Sequence, residues 1–139
     1  MNNNNHQKNS NNKKKKAVLD ASALRALFFE EAGSGAVYTL LGDVCLSAVT
    51  LTEVMTMLAK EGGSSPVFLA QFQQLELPIV DFTEAQSLIA GKLLAEQGRA
   101  LSFCDAAALS LAIQLELPIY TACKAWATLN LPIAVHVIS

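Results

Sequence analysis

Apolar residues fall into short unbroken runs and longer runs interrupted at helical spacing, and from Ala17 onward the two kinds alternate. AVLD (17–20) reads as a strand and 21–33 as a helix ending near Gly33, with a short helical stretch around 36–41. DVCLSAV (43–49) is a second strand, and 50–63 a helix closed by Gly62 and Gly63. Residues 65–77 form another helix, with Ser64 or Ser65 as its cap and Pro66 in its first turn. PIVDF (78–82) is a strand, 83–98 a long helix, and 101–117 a loop leading into a helix. PIYTA (118–122) is a strand, 124–130 a short helix, and 132–138 the last strand. The string LELPI occurs at 75–79 and again at 115–119, each time handing a helix to a strand. Strands separated by helices predict a parallel sheet covered on both faces. The expected fold is α/β, a three-layer α/β/α sandwich with a central parallel sheet of about five strands.

Composition divides the 139 residues in two. Residues 1–16 hold five lysines, no acid and one apolar residue, a polar segment expected to be disordered. The other 123 residues hold all twelve acids against five bases, so 17–139 is read as one acidic domain behind a basic tail. The tail is either a passive extension or a phosphate-seeking patch centred on Lys13, Lys14, Lys15 and Lys16. No apolar run is long enough to span a bilayer, and no secretory signal pattern follows the lysines. Three cysteines without paired spacing suggest reduced thiols and a cytoplasmic protein. Two histidines do not furnish a multi-histidine zinc site, and neither a Walker loop nor GxGxxG is present.

Parallel α/β domains bind ligands beyond the carboxyl ends of their strands. Asp20 ends the first strand, Glu53 is expected in the first turn after the second, and Asp105 opens the helix before the fourth. Each has a plain structural reading: Asp20 as an N-cap, and Thr50-x-x-Glu53 and Ser102-x-x-Asp105 as capping boxes. Glu53 shares a helix face with Val49 and Met57 while Leu51, Val54, Met55 and Leu58 cover the opposite face, so that helix is expected to be buried nearly all round. The Asp105 helix is similarly apolar. Carboxylates on buried helices must take up protons or share a cation, since unit charges about 4 Å apart repel by about 4 kcal/mol even at an effective dielectric of 20. No lysine or arginine is close in sequence to Glu53 or Asp105. Mg²⁺ or Mn²⁺ suits an all-oxygen donor set, and an acid-bound ion of this kind serves phosphodiester hydrolysis.

At these residues the chain resembles a PIN domain, and within that superfamily the VapC-type ribonuclease toxins of toxin–antitoxin pairs. The resemblance spans Ala17 to Ser139 and rests on AVLDASAL, LSAVTLTEV, LSFCDAAALSLA and LPIYTACKAW, in that order. It implies a Mg²⁺- or Mn²⁺-dependent endoribonuclease that acts on RNA, is inhibited by a cognate antitoxin and forms a homodimer. Asp20, Glu53 and Asp105 carry over as catalytic, metal-binding acids. Ser22, Thr121, Cys123 and Lys124 fall at the site edge, and Arg25 joins the four lysines as a weak RNA contact. The chain departs from the family pattern at Cys123, where aspartate is usual, and a thiol is a poor ligand for Mg²⁺. Reduced activity, or a silent module that binds RNA or antitoxin, is the alternative. Cys104 could approach Cys123, though burial of both is the simpler expectation. Trp126 is read as a core or interface anchor, Arg25 and Arg99 otherwise as surface charges, and His136 has no evident partner.

Overall fold

In the computed structural model, which describes residues 15–61 and 65–139, period-two alternation in short strands sends side chains to two separate cores. The strands are β1 (Ala17–Leu19), β2 (Val44–Ser47), β3 (Ile79–Val80), β4 (Ile119–Thr121) and β5 (Val135–Val137). The helices are α1 (Ala21–Phe28), α2 (Ser34–Leu40), α3 (Ala48–Lys60), α4 (Ser65–Gln74), α5 (Glu84–Gln97) and α6 (Phe103–Leu115). All neighbouring strands pair in parallel in the order β3-β2-β1-β4-β5, with Val18 opposite both Cys45 and Ile119. Val18, Cys45 and Ile119 join the core beneath α5 and α6, whereas Leu19, Val44 and Leu46 join the one beneath α1, α3 and α4. The three-layer α/β/α sandwich expected from the hydrophobic pattern is therefore the observed fold.

α6 is the central helix, with every residue from Ala106 to Ala112 buried. Its alanines let it lie close to the sheet, and Ser110 is accommodated because its hydroxyl donates to the Ala107 carbonyl at 2.7 Å. Trp126, 2% exposed, closes the same core from a 3₁₀ turn (Lys124–Thr128) that replaces the short helix expected over 124–130. Among the described residues no helix is long and apolar enough to cross a membrane.

Most strands and helices are shorter than the sequence expectation, and three of the shifted boundaries have a local cause. The first helix ends at Phe28, not near Gly33. Glu30 takes the left-handed conformation (φ 52°), and the Glu31 N–H returns to the Ala26 carbonyl at 2.9 Å. Gly33 instead starts α2, at φ 92° and so close to Ile138 that a Cβ would lie 2.5 Å from its carbonyl oxygen. The second strand stops at Ser47, whose hydroxyl accepts from the Val49 N–H at 3.1 Å and caps a helix already begun at Ala48. Glu53 thus sits in the second turn of α3, and Thr50-x-x-Glu53 is not a capping box. Thr50 is buried.

Candidate active site

The strand order reverses between β1 and β4, which opens a crevice at their carboxyl ends. Asp20 follows β1 as the N-cap of α1 and is 5% exposed. Its Oδ1 accepts from the Ala23 N–H at 2.9 Å, and its Oδ2 from the Thr121 hydroxyl, across the crevice, at 2.6 Å. Ser22 Oγ lies 2.8 and 2.9 Å from the two carboxylate oxygens and itself accepts from the Ala122 N–H at 2.8 Å. The Cys123 N–H donates to Thr121 Oγ1 at 3.0 Å. Two hydroxyls therefore tie the turn after β1 to the turn after β4 and fix the orientation of Asp20.

Asp105 is held from the other side. Its N–H donates to Ser102 Oγ at 3.1 Å while its Oδ2 accepts from the Ser102 N–H at 2.9 Å, which completes the expected capping box. Glu53, on α3, feels the charge of both aspartates. Burial is the main cause that raises its carboxyl above the usual range, and Asp105 and then Asp20 add to the rise. Burial likewise raises Asp20, against the hydrogen bonds from Thr121, Ala23 and Ser22, with a further push from Asp105. The Cys104 thiol is raised by burial, then by Glu53 and Asp105. The structure thus gathers Asp20, Glu53 and Asp105, from three separate elements, into one field of like charge.

Among the described residues none of these three acids has a lysine or arginine partner; the ion pairs are Lys16–Asp43, Arg25–Glu31, Arg25–Glu61 and Lys92–Glu96. A cationic ligand suits such a set. The donors are carboxylate oxygens, which match a hard divalent ion. Yet no three His, Cys, Asp or Glu side chains among those residues converge closely enough to grip an ion in this conformation. The set fits a divalent cation by charge and chemistry, as an open cradle.

The remaining predicted site residues are scattered. Cys123 is half-buried and Lys124 exposed at the crevice edge. Arg25 lies with its guanidinium 2.6 Å from Glu61 and 3.4 Å from Glu31, over the Phe29 ring. Lys15 and Lys16 precede the amino end of β1, the far end of that strand from Asp20, and Lys13 and Lys14 lie outside the described residues.

The expectation that α3 is buried nearly all round does not hold. Only Thr50, Val54 and Leu58 are buried, while the face carrying Glu53 lines an open groove of about 630 Å³. Phe103 and Cys104 of α6 form its opposite wall, and Lys60 contributes to its lining. Sequence reasoning missed these groove residues. The signal was the recurrence of Thr52, Glu53, Thr56 and Lys60 at helical spacing, a polar stripe on an otherwise apolar helix.

Comparison with known proteins bears on this arrangement. The PIN domain family matches residues 17–122. Among solved structures, FitAcB from Neisseria gonorrhoeae is similar at a TM-score of 0.68 and 21% identity, over 86% of this chain and 96% of that one. DNA-bound VapBC from Salmonella typhimurium gives 0.66 and 19%, over 87% and 96%. VapC20 from Mycobacterium tuberculosis, described as a sarcin-ricin loop cleaving toxin, gives 0.65 and 20%, over 78% and 91%. No curated protein matches the sequence.

Proposed function

Because the chain belongs to the PIN domain family, we propose that it is a divalent-metal-dependent endoribonuclease acting as the toxin of a toxin–antitoxin pair. The observation that carries this reading is that Asp105 and Asp20 help to raise the Glu53 carboxyl, and Asp105 the Asp20 carboxyl, at the strand-order reversal, with no lysine or arginine ion pair to any of the three among the described residues. Asp20, Glu53 and Asp105 would hold Mg²⁺ or Mn²⁺. A bound ion of this class supplies an activated water and charge stabilisation for displacement at phosphorus. The chain's own residues do the positioning. Ser22 and Thr121 fix the Asp20 carboxylate in one orientation, and Ser102 fixes Asp105, so little reorganisation is needed when charge develops. Lys124, exposed beside Cys123, would supply a positive charge for a phosphate near the crevice edge. That similar folds occur in toxin–antitoxin complexes supports a protein inhibitor as partner. An arginine from that inhibitor would answer the same unpaired carboxylates and compete with the ion.

The test is cleavage of single-stranded RNA by chelator-treated protein after Mg²⁺ or Mn²⁺ is restored, together with growth on expression with and without the neighbouring reading frame. Cleavage and toxicity are expected, and both should be lost in Asp20→Asn. Cleavage that survives in that variant would sink the assignment. Cys123 favours a second reading, a PIN module with weakened or absent catalysis, because a thiol stands where the resemblance calls for an acid. Cys123→Asp separates the two. A several-fold gain in metal-stimulated cleavage means the machinery is intact but short of a ligand, whereas inactivity of both proteins supports the silent module.

A further inference from the structure

Beyond the carboxylates themselves, the groove on the outer face of α3 has no role in the cradle. Glu53 is the point where the two meet, so a chain seated at the carboxylates can continue directly into the groove. From Glu53, Thr56 and Lys60 follow on the same helix face, and Lys60 lies about 10 Å farther along the axis at 1.5 Å per residue. The opposite wall presents Phe103, an aromatic ring 53% exposed although it opens the most buried helix of the molecule. Its position is fixed by Phe82, which packs on the core and meets it edge to face, with ring centroids 5.7 Å apart. What sets Phe103 apart from the other exposed apolar side chains is its place: it lines the same groove as Glu53, backed by a second aromatic ring.

On the α3 wall, where Val49 and Met57 also line the groove, the polar groups have a definite sense. The Thr52 hydroxyl donates to the Ala48 carbonyl at 3.3 Å and the Thr56 hydroxyl to the Thr52 carbonyl at 2.9 Å. With their protons committed to the helix, both oxygens offer lone pairs, suited to base amino groups or ribose hydroxyls. Lys60 matters because the domain is poor in cations. Of its five bases, Arg25 is paired with Glu31 and Glu61 and Lys92 with Glu96, whereas Lys60 makes no ion pair among the described residues. An aromatic platform, an acceptor wall and a distal ammonium group next to a phosphodiester-directed site are the parts of a single-strand subsite.

We infer that this groove binds the single-stranded RNA flanking the cleaved bond, with one nucleobase stacked on Phe103 and a neighbouring phosphate held by Lys60. The inference rests on the nuclease reading for its substrate, but it is tested by binding alone. The probe is a short fluorescein-labelled single-stranded RNA, followed by anisotropy with the full chain in an Asp20→Asn background so that nothing is cut. Phe103→Ala is expected to weaken binding about tenfold, the usual scale for loss of one stacked base. Lys60→Ala should weaken it several-fold and reduce the slope of log Kd against log salt by about 0.7, with Lys60→Arg restoring both. Phe103→Trp should bind as the parent does and give an indole quenched by RNA, while the buried Trp126 is not. Parental affinity in both alanine variants overturns the subsite, whether or not the protein cleaves RNA. Groove-dependent binding without any metal-stimulated cleavage keeps the subsite and removes the nuclease reading, and no RNA binding at all removes both. Retained RNA affinity with lost antitoxin binding in Phe103→Ala would overturn the subsite in favour of a protein dock.

Discussion

Asp20 is asked to do two things that oppose each other. As an N-cap it needs only an oxygen that accepts from the Ala23 N–H, which asparagine provides equally well. As a buried carboxylate near Asp105 and Glu53 it also carries charge that burial disfavours, and its pKa is raised accordingly. A carboxyl raised in the folded state keeps its proton to higher pH than in the unfolded chain. Its contribution to stability is therefore complete below the unfolded value and lost as pH rises through the folded one. In chelator at neutral pH, Asp20→Asn is expected to raise the melting temperature by a few degrees. The Thr121 and Ser22 hydroxyls can turn to accept from the new amide. The gain should vanish below about pH 4, where the aspartate is protonated in both states. Mn²⁺ should stabilise the parent and not the variant, by mass action on the folded state alone. Thermal melts with and without metal across that pH range check all three outcomes. A variant less stable than the parent in chelator at neutral pH would show that the hydrogen bonds, not the charge, dominate at this position.

The repeated LELPI strings show what one element hands to the next. Glu76 and Glu116 both sit in the left-handed region, at φ 51° and 55°, and the leucine after each is buried. The proline carbonyls then accept from Leu46 N–H and Val18 N–H, at 3.1 and 2.9 Å, which sets the isoleucines in register with those same residues. The string is visible in the sequence as a helix-to-strand signal, and each strand it predicts begins at the isoleucine, one residue after the expected proline. Its backbone device is not visible there, because glutamate carries no preference for positive φ, and the same silence at Glu30 hides the end of α1 at Phe28. Glu116→Gly should relieve the conformation and stabilise the fold by about 0.5 kcal/mol or more, once the added freedom of the unfolded chain is subtracted. Gly33→Ala should cost about 2 kcal/mol or more, since strain at positive φ adds to a clash with the Ile138 backbone. Urea melts of the two variants against the parent would test the pair, and equal stabilities would contradict both assignments.

At the scale of the molecule, most of the fold and half of the site are legible in the sequence alone. Alternating strand and helix patterns specify the sandwich, the end of the first strand locates Asp20, and the Ser102-x-x-Asp105 capping box locates Asp105. Glu53 is located by residue but not by turn, because Ser47 outcompetes Thr50 for the cap. The groove depends on which faces of α3 and α6 oppose each other, a tertiary fact that periodicity within either helix does not encode. The lysine run is the clearest case. By charge alone it resembles an aid to the acidic site, but Lys16 bonds to Asp43 at the amino end of the sheet, its N–H 2.7 Å from the Asp43 carbonyl and its ammonium 3.7 Å from the carboxylate. Asp20 lies four residues farther on, at the opposite end of β1, so the run's lysines join the domain at the end of that strand away from the candidate site. They are therefore expected to raise RNA affinity without setting where RNA is cut. Removing residues 1–14 deletes Lys8, Lys13 and Lys14 and leaves the Lys16–Asp43 ion pair in place. RNA binding should weaken at low salt, and the slope of log Kd against log salt should fall by up to about 2, at roughly 0.7 for each phosphate no longer neutralised. The cleavage pattern and the rate at saturating RNA should stay as in the full chain. A changed cleavage pattern would mean that the basic segment reaches around the sheet to the carboxylates, and an unchanged salt slope would make it a passive extension.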